Sequence, residues 1–559
     1  MSAFVSRPVG TSSPSRSTAI WPYLGIFGIA LLGAWLRLDQ FSYQVVTDDE
    51  WHALHQLIAN SPSQFMRSFG TADYSIPLAG LYWLEAHWFG LSEFGMRWPM
   101  LASGLAILIL FPLWALPRFG WRVAAAFALL LAISPLLINY SREARPYAIT
   151  LFLSYLAHYA FWRFWATDPA GWRWGALYGL CASLAVWLHL LSLPFVTVPF
   201  ILAGWQTLAA ERGARVARVR RLLWLAVPTT LLMALLILPP MVSDPNALLN
   251  KSGSDMPNWD TYLGVLHTWL GTPSLPAVTV CILFALFGVS SLWREGQLIR
   301  GVLLGLLLTY MAVLISRPAW VHNPLTFGRY LLPAVVVLLL AVALGMARMA
   351  QYVEFRMGRL IAVPVVLLPF VFLLLQTPLL KTMRKPDSYS LHSVFQVDYR
   401  KKPGGVRETM RERIPLSPWW ETLSRLPPES VLIAVAPYQY FSPKWDAPRW
   451  EKLGKQRVIP GFLTGFCLTR RDGEAPDDVR FVLRNAVHLG DDMELRTKHV
   501  GMVVFQKPYL VVHNNERVWM GADVGQCLPL LRNKFGAPVY EDDKIVAFSL
   551  RNPDLAHAQ

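Results

Sequence analysis

The stretch Ile20–Glu50, IWPYLGIFGIALLGAWLRLDQFSYQVVTDDE, decides how the rest of the chain is read. From Ile20 to Leu38 it holds no acid and a single cation, Arg37, over the length of one helical bilayer crossing. Three consecutive carboxylates then follow, Asp48, Asp49 and Glu50, with His52 and His55 just behind them. A first span that ends in concentrated acid points to chemistry at a membrane surface.

Composition agrees with a membrane setting. The 559 residues are 54% hydrophobic, with 24 Trp and a mean hydropathy of +0.36, too apolar for a soluble chain of this size. About eleven apolar segments reach spanning length, beginning near Trp21, Met96, Val123, Tyr147, Gly175, Ser192, Leu222, Thr272, Ile299, Tyr330 and Leu360. The formal charge of +15 does not call for nucleic acid, because basic residues of a polytopic protein gather in its cytoplasmic loops. With the N-terminus inside, arginines concentrate in the cytoplasmic loops, as in RGARVARVRR from Arg212, while most loop acids fall outside. Function is therefore expected on the outer face.

Three regions follow from this count. Residues 1–20, rich in Ser and Pro, read as a disordered cytoplasmic tail. Residues 21–380 form the membrane domain, whose first span is long for a signal peptide and lacks a small-residue cleavage site. An odd number of spans leaves residues 381–559 outside as a soluble α/β domain, with apolar runs such as SVLIAVAPY and VGMVVFQK between turn-forming residues. Cys181 and Cys281 fall in spans, while Cys467 and Cys527 share the exported domain, where they are either a disulfide or two unrelated thiols.

The outer loops hold the informative material. YSIPLAGLYWLEAHWFGLSEFGMRWP reads as a helix lying in the outer interface, with Tyr82, Trp83 and Trp88 at headgroup level, roofing a cavity beside the acids. INYSREARPYAIT packs Arg142, Glu143 and Arg145 between two spans, and SRPAWVHNPLTFGRYLLP adds Arg329 and Tyr330. Such arginines either anchor helix ends or hold a phosphate, whose oxygens match the guanidinium fork.

An Asp-Glu pair after the first span, SEFGMRWP, SREARPYA, the His189 of WLHLLSLP, and RYLLP occur in one order on one face. Together they resemble the integral-membrane C-type (GT-C) glycosyltransferases over roughly Trp21 to Leu380. Within these, the chain is similar to bacterial relatives of the protein O-mannosyltransferases and of the lipid A aminoarabinose transferases. In many relatives the interfacial helix opens with His-Pro or Pro-Pro; here a single Pro77 stands, and no lysine lies beside it.

The resemblance implies a multi-pass α-helical enzyme of the bacterial inner membrane. It would move a sugar from a polyprenyl-phosphate donor to an acceptor glycan, lipid or protein, with inversion. Asp49 matches the family's base and Glu50 its partner in catalysis, with Asp48 as the alternative carboxylate. Arg142, Arg145, Arg329 and Tyr330 fall on the donor-phosphate side, and Asp48, Glu143 and His189 on the supporting cavity.

The chemistry suits these residue types independently. A sugar on lipid phosphate carries its own leaving group, so the protein needs a base for the acceptor and cations for the departing phosphate. Asp49, His52 and His55 are also candidate ligands for a divalent metal, with solvated histidines as the bland alternative. A transporter or flippase of lipid-linked sugars is the alternative function, but its ionisable groups belong near the bilayer midplane. The middles of these spans are nearly free of charge.

Overall fold

The computed structural model describes residues 20–39, 41, 46, 50–69, 75–166, 171–253, 255–272, 274–294, 296–376, 416–437, 447–463, 466–467, 480–483, 486–507, 509–513, 516–520 and 524–550. The first half of the membrane part comprises α1 (Trp21–Leu38), α2 (Trp51–Ala59), α3 (Pro62–Phe65), α4 (Ile76–Trp88), α5 (Glu93–Phe119), α6 (Trp121–Ile133), α7 (Pro135–Tyr140), α8 (Tyr147–Ala166) and α9 (Trp172–Leu188). The second half comprises α10 (Leu193–Leu208), α11 (Arg212–Ser243), α12 (Pro245–Leu249), α13 (Trp259–Leu270), α14 (Leu275–Arg294), α15 (Gln297–Ser316), α16 (Pro324–Tyr330), α17 (Pro333–Met357) and α18 (Arg359–Gln376).

Each of the apolar segments expected from the sequence coincides with a helix. Among the described residues, six are long and apolar enough on their own to cross a membrane: α1, α5, α10 with the turn before it, α11, α15 and α17. The pair α13 and α14, bent by 83° at its break, qualifies as a seventh. Length and apolarity thus establish a polytopic protein, with fewer self-evident spans than the expected eleven.

α11 starts at Arg212 rather than near Leu222, because its arginines find helical partners. Arg215 donates to the Leu208 carbonyl at 2.9 Å and Arg218 to that of Gln206 at 3.1 Å, covering free acceptors at the end of α10.

Close approach of helices supplies much of the packing inside the membrane part. A Cβ on Gly288 would lie 2.0 Å from the Ala341 carbonyl oxygen, and one on Gly345 would lie 1.8 Å from that of Phe284. These glycines let α14 and α17 cross backbone to backbone, where lipid offers no hydrophobic driving force between helices.

Arg37 solves a different problem. α6 breaks at Ser134 because Pro135 has no N–H to offer the Leu131 carbonyl. The buried Arg37 guanidinium fills the gap, donating to Leu131 at 3.1 Å, to Ala132 at 3.3 Å and to Gly33 at 2.9 Å. Its Nε reaches Ser141 Oγ at 3.2 Å, so the lone cation of the first span also holds the start of the arginine loop. A Cβ on Gly104 would meet Ser141 Oγ at 2.0 Å, which is why α5 can press against that loop.

The interfacial segment forms α4, and its aromatic residues divide. Trp88 is exposed, whereas Tyr82 is wholly buried and its hydroxyl donates to the Met96 carbonyl at 2.8 Å. The expectation that Tyr82 faces the headgroups is therefore corrected: it joins α4 to α5.

The described C-terminal unit is α/β. Strands β1 (Leu432–Ala436), β2 (Arg457–Phe462), β3 (Val487–His488), β4 (Val500–Gln506), β7 (Tyr540–Glu541) and β8 (Ile545–Ser549) form one sheet in the order β3-β2-β1-β4-β8-β7. β5 (Tyr509–His513) and β6 (Glu516–Met520) form a separate antiparallel pair. β1 to β4 pair in parallel and are buried on both faces, so they read in sequence as continuous apolar runs rather than alternating ones. Cys467 and Cys527 are joined, with Cα atoms 5.3 Å apart, on one face of this sheet. Cys181, in α9, and Cys281, in α14, are buried free thiols.

Candidate functional site

The site is assembled where the acidic segment, α5 and the loop between α7 and α8 meet. Glu50 directly precedes α2 and is 0% exposed. Arg97, in the second turn of α5 and equally buried, donates from Nε to Glu50 Oε1 at 2.7 Å and from a terminal nitrogen to Oε2 at 2.5 Å. The backbone N–H of Ala144 also donates to Oε1, at 2.7 Å. One carboxylate therefore ties three segments together, and Arg142 and Arg145 flank the residue that it holds.

Both oxygens of Glu50 are engaged and the side chain is closed to solvent. Asp48 and Asp49 lie outside the described residues.

The loop arginines diverge. Arg142 is directed toward the end of α1, donating to the Leu36 carbonyl at 3.4 Å and lying 5.9 Å over the Phe41 ring. Arg145 donates to the Tyr147 hydroxyl at 3.3 Å and sits 5.6 Å from that ring's centre. Glu143 accepts from the Asn139 side-chain amide at 2.9 Å, which braces the loop from within.

Tyr147, the first residue of α8, gathers the remaining candidates. Arg329, at the end of α16, lies 5.6 Å from its centroid and 5.9 Å from that of Tyr330. The His189 ring, just past the end of α9, lies 6.0 Å from Tyr147 and 5.6 Å from Tyr330. Arg145, Arg329 and His189 thus converge on the Tyr147 ring although the chain separates them widely, and Tyr330 joins through His189 and Arg329. Beside them a small open cleft is lined by Tyr147, Thr150, Ser154, His189, Arg329 and Tyr330. Arg329, which lines this cleft, and Arg145, on the same Tyr147 ring, are guanidinium groups supported by aromatic faces, an arrangement that suits an anion such as phosphate.

On the α4 side burial acts on two acidic groups. Burial raises the Glu85 carboxyl above its ordinary value, against the Trp98 indole N–H that donates to it at 2.8 Å. Burial likewise raises the Tyr82 hydroxyl, reinforced by the carboxylates of Glu50 and Glu85.

For a divalent metal, the described residues offer no group of three or more His, Cys, Asp or Glu able to hold one. Of the three candidate ligands, Asp49 and the His55 side chain lie outside the described residues, and the half-buried His52 does not make a site alone. No step below is routed through a metal.

Sequence reasoning had not assigned roles to Arg97, Tyr147 or Arg37. The first two stand inside the quoted motifs SEFGMRWP and SREARPYA, and Arg37 was visible as the single charge in the first span.

No family model matches the chain, and no curated protein matches it. Among solved structures it is similar to ArnT from Cupriavidus metallidurans in the apo state, at 14% identity and a TM-score of 0.43, covering 96% of this chain and 98% of that one. The same protein bound to undecaprenyl phosphate is 15% identical with a TM-score of 0.41, over 90% and 98%. The archaeal oligosaccharyltransferase AglB from Archaeoglobus fulgidus, in complex with an inhibitory peptide and a dolichol-phosphate, is 12% identical with a TM-score of 0.40, over 91% and 75%. Scores this low carry no argument, so the case rests on the residues themselves.

Proposed function

We propose that the chain is a GT-C glycosyltransferase that moves a sugar from a polyprenyl-phosphate donor to an acceptor at the outer face of a bacterial inner membrane, with inversion. The supporting observation is the bond from Ala144 N–H to Glu50 Oε1, which fastens the acidic segment to the arginine loop. Asp49, one peptide bond from Glu50, is the candidate base, and Arg145 is the chain neighbour of Ala144.

In this reading the polyprenyl tail stays in the bilayer while the phosphate meets Arg145 and Arg329, with Tyr330 and His189 completing the wall. Asp49 takes the proton of an acceptor hydroxyl or amine as its lone pair attacks the anomeric carbon. The bond to the phosphate oxygen breaks in the same step, and the arginines stabilise the charge that develops there. One displacement inverts the centre and needs no covalent enzyme intermediate. Glu50, which follows Asp49 in the chain, is fixed by Arg97 and tied to the arginine loop.

The test is the mass of the product formed when purified protein meets polyprenyl-phosphate sugars and envelope acceptors. Transfer of one glycosyl unit with release of polyprenyl phosphate supports the reading. Movement of intact donor across vesicle membranes without any transfer would favour a flippase.

A further inference from the structure

We propose that the C-terminal unit is a brace that sets the Arg97–Glu50 pair, with Phe481 as its positioning residue. The inference rests on the reading of that pair as part of the transfer site.

β2 and β3 run parallel and end at Phe462 and His488. Phe481 stacks on both of these rings, at 5.4 Å from Phe462 and 6.3 Å from His488, and is only 2% exposed. The stretch that carries Phe481 pairs with the turn between α4 and α5 in the manner of a short parallel strand. Leu91 N–H donates to the Arg480 carbonyl at 2.8 Å, Val482 N–H donates to that of Leu91 at 2.8 Å, and Arg480 N–H donates to that of Ala86 at 3.1 Å.

The same stretch is held from behind. Lys498 Nζ donates to the Leu483 carbonyl at 2.6 Å and to that of Ala486, while pairing with Glu494 at 2.6 Å. Phe481, Leu483 and Ala486 belong to the same buried cluster as Ala86, Leu91 and Met96 of the membrane part. Gly90, at φ +84°, completes the fit, since a Cβ there would lie 2.5 Å from Val482 Cγ2.

Leu91 sits immediately before the cap of α5. Ser92 Oγ accepts from Gly95 N–H at 3.1 Å, Tyr82 donates to the Met96 carbonyl, and Arg97 follows one residue later. Force on Leu91 is therefore force on the first turns of α5, and so on the guanidinium that grips Glu50. The C-terminal unit acts on the transfer site through α5, whatever else it binds.

Hydrogen exchange and turnover of the full-length protein in lipid nanodiscs test this together. Phe481→Ala is expected to speed amide exchange across residues 92–97 by about tenfold, the scale of one lost local contact, and to lower kcat by a similar factor. Affinity for polyprenyl phosphate is expected to stay within about twofold, since a merely unfolded protein would lose it. Leu91→Cys with Phe481→Cys supplies a second arm, because the spacing of paired strands, about 4.8 Å, suits a disulfide. Oxidation is expected to restore slow exchange and turnover, and reduction to remove both, with reduced wild type controlling for Cys467–Cys527. Unchanged exchange at 92–97 in Phe481→Ala, or no recovery on cross-linking, overturns the brace. Should wild type fail to transfer sugar at all, the functional reading falls while the exchange arm still decides this one.

Discussion

Arg97 grips Glu50 at both carboxylate oxygens, 2.7 and 2.5 Å away, with neither side chain reaching solvent. Such a pair contributes little net stability over apolar packing, yet removing one partner strands a buried charge at a cost of about 3–5 kcal/mol. Arg97→Ala is therefore expected to lower the thermal unfolding midpoint in detergent steeply. Glu50→Gln, which also weakens the Ala144 bond, should lower it and depress turnover. Wild-type turnover in Glu50→Gln would remove Glu50 from the positioning role.

The arginines should separate by their surroundings. Arg145 and Arg329 share the Tyr147 ring, whereas Arg142 turns to the Leu36 carbonyl. Arg145→Ala and Arg329→Ala are each expected to weaken polyprenyl-phosphate binding about tenfold or more, in line with loss of a charge-assisted contact. Lys at either position should recover part of that loss, because charge survives while the planar fork does not. Arg142→Ala should affect stability more than affinity. Equal loss of affinity at all three would show that Arg142 meets the phosphate as well.

Tyr147 offers a cleaner separation of ring from hydroxyl. Phe keeps the face under both guanidinium groups and loses only the 3.3 Å bond from Arg145. Leu loses both cation–π contacts, each worth about 0.5–2 kcal/mol depending on solvation. Donor affinity measured by calorimetry should fall little in Tyr147→Phe and substantially in Tyr147→Leu. The reverse order would place the hydroxyl itself on the ligand.

Acid should loosen the C-terminal unit at Glu494. Burial raises its carboxyl, but hydrogen bonds from His488 and Lys498 overcome that and hold it down at about 2, against an ordinary value of 4.5. A depressed folded-state value contributes stability that is complete above the unfolded value and is lost as pH falls from about 4.5 toward 2. In thermal unfolding of the full chain, the gap between wild type and Glu494→Gln should therefore narrow across that window. A gap that stays constant would mean that Glu494 is not ionised in the folded protein.

Helices and their order were legible because lipid demands long apolar runs, and every expected segment is helical. The convergence of Arg145, Arg329 and His189 was legible only as a shared face; that they meet on Tyr147 depends on packing no spacing reveals. Tyr82 was misplaced because an aromatic residue at an interface and one buried between two helices look alike in a single sequence. The pairing of Glu50 with Arg97 was not legible, because adjacent carboxylates look alike until one of them is seen buried against a cation. The Cys467–Cys527 pairing likewise needed a distance, since sixty residues of separation set no proximity.

The central claim is that Asp49, the chain neighbour of the loop-bound Glu50, deprotonates the acceptor. Turnover of purified Asp49→Asn with a polyprenyl-phosphate sugar and its acceptor, alongside donor binding, tests it most directly. The account predicts a fall in transfer of about a hundredfold to ten-thousandfold, the range of a lost general base, with donor affinity essentially kept. Transfer at the wild-type rate by the Asn variant would contradict it.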